Sequence, residues 1–420
     1  MIEAVKGTRD ILPDEAGRWQ FVEAQAREVF GLYGFREIRT PIFESTELFA
    51  RGVGEGTDIV AKEMYTFLDR KGRSLTLRPE NTAPVARAYL EHGLHRGSDL
   101  TRLYYMGPMF RYERPQKGRM RQFSQIGVEA LGSEHPAVDA ETLQMLAVFL
   151  ARLGLGASAL LLNSVGCETC RPAYRESLRR ELEPFRDRLD ADCQRRLDTN
   201  PLRVFDCKVP ADQALIAQHA SPILEHLCDD CRRHLDGVRA HLERLGVAYT
   251  MEPRLVRGLD YYRRTTFEVT LPTLGAQSAL LGGGRYDGLV QELGGPPVPG
   301  FGFAVGQDRL VMSLPAEKTG ADETPDAVAV ILGEEGVGPA LAAARALRAA
   351  GMSVVVEPFP DRSAKAQLRR ANDLKAKNAL LLGGSEAAAG TVTIKRLSDG
   401  LQKTVAATEV VATLREMLHG

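Results

Sequence analysis

No run of about 18 consecutive apolar residues occurs in the 420-residue chain, so nothing in it has the length of a membrane-spanning helix. Its first residues, MIEAVKGTRD, are charged and lack an apolar stretch, so no secretion signal is expected and the cytoplasm is the default compartment. A dominant charge is missing too: 54 lysines and arginines oppose 55 aspartates and glutamates, a net of −1. A polyanionic partner would have to be met by local basic patches and not by a global field. Cysteine is absent before residue 167 and after residue 231, and a reducing cytosol argues against disulfides. The eight histidines form no motif; His92 and His95 have only the spacing of a helix surface.

What is present is ordinary for folded protein, with 44% hydrophobic and 26% charged residues. The length calls for two or three domains. Pro13 followed by Trp19, Val22, Ala26, Val29 and Phe30 at helical spacing predicts an amphipathic helix ending near Gly34. REIRTPIFE, 36 to 44, contains Pro41 and so suits only an edge strand or a strand end. SLTLRPE, 74 to 80, reads as a strand leading into a helix whose polar start supplies a cap. The stretches 102–113 and 121–132 read as antiparallel strands joined by a basic loop, 137–153 as a helix and 158–163 as a strand. Residues from about 167 to 245 are polar, helical in pattern and interrupt two strand-rich blocks, as an insertion would. After Pro325 strands and helices alternate, which predicts a separate small α/β domain beyond a polar linker at 316–324.

Arg111 and Glu113, two apart on the first predicted strand, would point the same way, with Arg114, Lys117, Arg119 and Arg121 clustered beside Phe123. A guanidinium matches a phosphate by bidentate hydrogen bonding, a carboxylate accepts from an adenine amino group and a ring offers a stacking face. Together they would form an ATP site without a Walker loop; the same residues would equally suit a solvated hairpin. In LVRGLDYYRR, Arg257 among apolar neighbours of a strand needs an anion, either a ligand or a structural partner. GGGRYDG, 282 to 288, taken alone reads as a tight turn. Arg309, in the first turn of a helix after the small-residue strand GFGFAVG, has room beside it for a planar ligand. Basic constellations without a Ser-His-Asp set or paired acids imply chemistry at phosphorus by charge stabilisation. Cys167 with Cys170, and Cys228 with Cys231, have the Cys-x-x-Cys spacing that grips tetrahedral zinc; Cys193 and Cys207 could replace a pair, and buried free thiols are the alternative.

RYERPQKGRMRQF resembles class II aminoacyl-tRNA synthetase motif 2, GFGFAVGQDRL motif 3, and the region around Pro41 motif 1 at a dimer interface. LVRGLDYYRRTTFE, TLRPE and NPLRV resemble the histidyl-tRNA synthetase family in particular, and the likeness runs over essentially the whole chain. It implies an α+β fold: a class II antiparallel-sheet catalytic domain over 1–320 with a helical insertion at about 167–245, and an anticodon-binding α/β domain over 325–420. It implies ATP-dependent formation of histidyl-adenylate and transfer to tRNA(His), with Mg²⁺ beside the β- and γ-phosphates. Arg257 and Arg111 would be catalytic. Arg111, Glu113, Arg119, Phe123 and Arg309 would bind ATP, and Glu80, Asn81, Thr82, Arg111, Gln125, Glu129, Arg257, Tyr261 and Tyr262 would bind histidine. Asn81 stands where many relatives carry glycine and Ser124 where many carry histidine, which bears on pocket shape and transfer. Arg362, Lys365, Arg369, Arg370, Lys375 and Lys377 would put positive charge on one helix for tRNA, with a solvated face as the alternative. A homodimer is expected because the motif 1 strand would otherwise leave an open edge. The rival is a histidine-binding regulatory subunit of ATP phosphoribosyltransferase; such chains typically lack the anticodon domain and the motif arginines. Class II enzymes for glycine, threonine or proline share the motifs but not LVRGLDYY.

Overall fold

The apolar spacing near the amino end produces α1 (Pro13–Leu32), which buries Trp19, Val22, Ala26, Val29 and Phe30 along one stripe. Phe30 meets Tyr104, Phe149 and Phe303 at centroid distances of 5.6, 5.2 and 6.2 Å, joining the helix to the core by one ring. The structure, a computed structural model, describes residues 2–54, 57, 59–97, 99–116, 118–259, 261–272, 274, 279–318 and 324–419. It divides into two compact units, Met1–Gly320 and Ala321–Gly420.

The first unit carries β1 (Arg36–Glu37), β2 (Phe43–Ser45), β3 (Tyr65–Leu68), β4 (Ser74–Leu77), β5 (Thr101–Phe110), β6 (Gln122–Leu131), β7 (Ala159–Ser164), β8 (Thr250–Met251), β9 (Arg263–Thr270), β10 (Ala279–Arg285) and β11 (Gly300–Gly306). Eight of them form one sheet in the order β1-β5-β6-β11-β10-β9-β7-β8. Its pairings are antiparallel except at the two ends, where β1 runs parallel to β5 and β8 to β7. The order β2-β4-β3 makes a second, small sheet. Pro41 therefore separates two strands and does not lie inside one, since it has no N–H for a ladder.

Helices α2 (Thr46–Val53), α3 (Thr82–Glu91) and α4 (Pro136–Arg152) precede the expected helical stretch, α5 (Cys170–Leu182), α6 (Ala191–Thr199), α7 (Pro210–His219) and α8 (Asp229–Arg244), all between β7 and β8. Insertion residues Tyr174, Leu178, Leu197, Val204 and Val238 join the main apolar core, so this segment is an insertion in topology but not a separate core. The short α9 (Leu289–Glu292) and α10 (Gln307–Ser313) follow. GGGRYDG corrects the expected turn in its first half: Gly282, Gly283 and Gly284 lie within β10, paired on both sides, and the turn is confined to Asp287 and Gly288 before α9. At the end of that strand Arg285 is fully buried, and its guanidinium lies 2.7 Å from Asp139 of α4 and 2.9 Å from Asp287, while His234 of α8 lies 3.0 Å from Asp139. The cap of α3 also differs from expectation, because Glu80, and not the first polar residue Asn81, accepts from Thr82 N at 2.8 Å and Ala83 N at 3.0 Å.

The second unit alternates β12 (Ala327–Leu332), α11 (Val337–Ala349), β13 (Val354–Val356), α12 (Ala364–Asp373), β14 (Asn378–Gly383) and α13 (Gly384–Ala389), then the hairpin β15 (Thr391–Arg396) and β16 (Gln402–Ala406), then α14 (Val410–His419). Its sheet, β13-β12-β14-β15-β16, closes over its own core of Ala329, Ile331, Leu347, Leu380, Leu382 and Leu414. The basic residues are not all on one helix as expected. Only Lys365, Arg369 and Arg370 lie on α12; Arg362 precedes it over the Phe359 ring, and Lys375 and Lys377 follow it. Arg370 is paired with Glu357 at 2.8 Å and Lys377 with Asp326 at 3.1 Å, which leaves part of that charge neutralised.

Candidate active site

One cavity of about 470 Å³ opens on the large sheet of the first unit and gathers side chains from β5, β6, β9, β10, β11 and the loops at their ends. Two kinds of chemistry meet in it. At one part are guanidinium groups. β5 stops at Phe110, so Arg111 and Glu113 lie just past the strand instead of along it, because the chain turns there with Glu113 N donating to Arg111 O at 2.8 Å. They converge nonetheless: Glu113 lies 3.8 Å from Arg111 and 3.4 Å from Arg119, and the Arg111 guanidinium sits 5.3 Å from the Phe123 ring centre. Arg309, in the first turn of α10, donates to Gly118 O at 3.4 Å and to Ala279 O. Burial and then the nearby Arg119 hold its pKa below the usual arginine value, as expected where cations await an anion. Arg114 and Arg121 do not line the cavity, Arg121 lying over Tyr112 instead, and Lys117 falls outside the described residues.

Arg257 stands in the loop between β8 and β9, not in a strand, and donates to Glu268 at 2.8 Å. Its guanidinium fits against β10 only because residue 282 is glycine: a Cβ there would fall 2.3 to 2.5 Å from three of its atoms. Gly302 similarly clears space on β11 for the Glu129 carboxylate.

The other part is polar and buried. Glu129 on β6 accepts from Thr82 Oγ1 at 2.8 Å and from the Tyr286 hydroxyl. Burial raises its pKa to about 8, against those two hydrogen bonds and with help from the Glu80 charge. Burial also raises Glu80, although two backbone N–H groups oppose the rise. Tyr261 and Tyr262 pack at a centroid distance of 4.8 Å beside them. Gln125 is a buried residue of the cavity wall, and among the described residues its Oε1, itself enclosed, has no hydrogen-bond partner.

The family model for histidyl-tRNA synthetase matches residues 7–310, and a model for an anticodon binding domain matches 326–417. The histidine–tRNA ligase of Koribacter versatilis (strain Ellin345) is 52% identical over 431 residues, covering 100% of this chain and 97% of the relative. That of Oleidesulfovibrio alaskensis is 51% identical over 405 residues, with 96% and 97% covered. A crystal structure of apo S. aureus histidyl-tRNA synthetase superposes with a TM-score of 0.82 at 37% identity, covering 99% of this chain and 100% of that one. The chain belongs to the histidyl-tRNA synthetase family.

In this synthetase the cavity unites Arg111, Glu113, Arg119, Phe123, Arg257 and Arg309 with Glu80, Thr82, Gln125, Glu129, Tyr261 and Tyr262. Asn81 is not brought to it; its Oδ1 accepts from Thr40 at 2.7 Å and Arg78 at 3.3 Å, behind the pocket. Ser124 is also outside, its N–H bonded to Asp308 at 3.3 Å. Tyr105, Tyr286 and Glu268 line the cavity but were not singled out from sequence, nor were Arg203 and Asp206 of the insertion. Two signals existed: Tyr286 lies in GGGRYDG, obscured by its reading as a turn, and Arg203 lies in NPLRV. Outside the cavity lining, Cys167, Cys170, Cys228 and Cys231 come together, and Cys193 and Cys207 form a different group with Asp190 and Asp212.

Proposed function

We infer that the chain is a histidine–tRNA ligase, activating histidine with ATP and a divalent metal and then esterifying it to tRNA. The observation that carries the site assignment is the junction, in one cavity, of a guanidinium cluster with a buried polar pocket built from Glu80, Thr82, Gln125, Glu129, Tyr261 and Tyr262. Histidine would enter the second part, its imidazole between Glu129 and Tyr262, where a donor and an acceptor can each be matched. Glu80, Thr82, Gln125 and Tyr261 would shape that pocket, with Asn81 supporting it from behind. Its carboxylate would meet Arg257, which would also hold the α-phosphate. Arg111 would grip the same phosphate from the other side, Glu113 would read the adenine amino group and Phe123 its ring face, and Arg119 and Arg309 would hold the outer phosphates.

In-line attack of the histidine carboxylate on the α-phosphorus would form histidyl-adenylate and release pyrophosphate; a ribose hydroxyl of the tRNA end would then attack the adenylate carbonyl, losing its proton as the acyl–phosphate bond breaks and AMP leaves. The protein contributes positioning and fixed positive charge where charge develops on phosphorus. The metal would be Mg²⁺, held mostly by phosphate oxygens and water, because Glu113 and Glu268 beside the arginines are already ion-paired. The second unit, matched by the anticodon-binding model, would bind tRNA(His). A homodimer would cover the β1 edge and the exposed Ile42 and Phe43 next to Pro41. Among the described residues no helix is long and apolar enough to cross a membrane, and a cytoplasmic location suits the reaction.

Histidine-dependent exchange between ATP and pyrophosphate tests the reading. Wild type should exchange, and Arg257→Ala should lose about 10²- to 10³-fold, as when one transition-state donor is removed. A folded wild type that binds histidine without exchange would instead be a regulatory subunit.

A further inference from the structure

Four sulfurs converge where the helical insertion leaves β7 and where its last helix, α8, begins. Cys167 and Cys170 follow β7, and Cys228 and Cys231 stand at the start of α8, Cys228 coming 61 positions after Cys167. Cys167 Sγ lies 3.5 Å from Cys170 and 3.7 Å from Cys228; Cys170 Sγ lies 3.6 Å from both Cys228 and Cys231. All four ligand atoms lie within 4.8 Å of one another, and none of the cysteines is in a disulfide. Thiolates about 2.3 Å from a central zinc stand about 3.8 Å apart at the edges of their tetrahedron, so this cluster already has the size of a zinc cage. Backbone amides are aimed at the sulfurs as well, Cys167 N at Cys170 Sγ (3.3 Å) and Thr169 N at Cys167 Sγ (3.4 Å). Such donors stabilise thiolates around a metal. Burial as small hydrophobes would account for the sulfurs being inside but not for their meeting, since apolar packing has no direction and S–H groups are weak donors.

The group of Asp190, Cys193, Cys207 and Asp212 does not make the same case, because its acids are already used. Asp190 accepts from Cys193 N at 2.6 Å as the cap of α6, and Asp212 accepts from Asp190 N at 3.1 Å and from Cys207 Sγ at 3.5 Å. Cys193 and Cys207 therefore do not substitute for either Cys-x-x-Cys pair.

We propose that Cys167, Cys170, Cys228 and Cys231 bind one structural zinc that staples the entry of the insertion to the start of its last helix, α8, beside the histidine pocket. The staple holds α5 and α8 against the start of β9. Arg171, next to Cys170, donates to Tyr262 O at 3.0 Å, and Arg264 N donates to Gly166 O at 2.8 Å, so the metal fixes backbone that carries the pocket tyrosines.

Elemental analysis of the full-length protein, purified without a metal-affinity tag and in reducing buffer, tests this directly. About one zinc per chain is expected in wild type and in Cys193→Ser/Cys207→Ser, and at least about a tenfold loss in Cys228→Ser/Cys231→Ser. Wild type in which Co²⁺ replaces the metal should show thiolate-to-cobalt charge transfer and intense tetrahedral d–d bands, a readout that does not depend on the variants folding. Zinc below about a tenth of an equivalent in wild type even after reconstitution with Zn²⁺, or a cobalt spectrum without sulfur ligands, overturns the proposal, as does undiminished zinc in the Cys228→Ser/Cys231→Ser protein.

Discussion

Glu129 shows how a residue's surroundings set its chemistry. Its burial keeps it protonated up to about pH 8, while free imidazole titrates near about 6.5. Between those values the carboxyl and the imidazole bring one proton to the encounter, which is what a single hydrogen bond between them requires. Below the window one proton must leave on binding; above it one must be taken up. The KM for histidine in the exchange reaction should therefore rise on both sides of the window. In Glu129→Gln the acid rise should remain and the rise just above pH 8 should vanish, because the carboxamide keeps a donor at neutral pH and does not titrate. An unchanged alkaline limb in that variant would show that Glu129 does not face the imidazole.

At the scale of elements, two glycine strands carve the site, and they differ in what a methyl group would meet. In β10 a Cβ at Gly282 meets the end of the flexible Arg257 side chain, whereas in β11 one at Gly302 meets Val128 O at 2.3 Å. Gly282→Ala should thus fold with a stability change within about 1 kcal/mol but lose about 10- to 100-fold in kcat/KM, because Arg257 is displaced. Gly302→Ala should lower the melting temperature itself. Full activity in Gly282→Ala would remove Arg257 from its assigned role. Where β10 ends, Arg285 and Asp139 join the strand to α4 and, through His234, to α8. Burial alone would raise the Asp139 pKa, yet the Arg285 charge holds it below the usual carboxylate value. Asp139→Ala leaves the buried Arg285 guanidinium with Asp287 as its remaining carboxylate and should cost about 2–3 kcal/mol, read as a shifted denaturant midpoint.

For the whole molecule, each unit has its own core: the clusters around Phe30 and Tyr89 contain no residue beyond 320, and that around Ile331 none before 321. A chain ending at residue 318 should therefore keep histidine-dependent exchange and lose tRNA charging, which separates activation from tRNA capture. Loss of both would mean that the second unit is needed for the first to form its site. Light scattering of the intact protein should give twice the 46.0 kDa chain mass, as a covered β1 edge requires.

The sequence by itself determined the local and periodic features. Helical spacing at Trp19 to Phe30, the strand pair on either side of the basic loop, the alternation after Pro325 and the motif arginines were all legible because each depends on neighbours along the chain. Only the tertiary structure decided what depends on neighbours across the sheet. It ended β5 before Arg111, put Arg257 in a loop against Gly282, placed the three leading glycines of GGGRYDG in a strand and kept the turn only at Asp287 and Gly288, and gave the N–H groups at the start of α3 to Glu80, leaving Asn81 behind the pocket. It also supplied Tyr286 and Glu268 as partners, and it separated six cysteines into a group of four and a group of two. Strand pairing and burial join residues far apart in sequence, so no local pattern could have specified them.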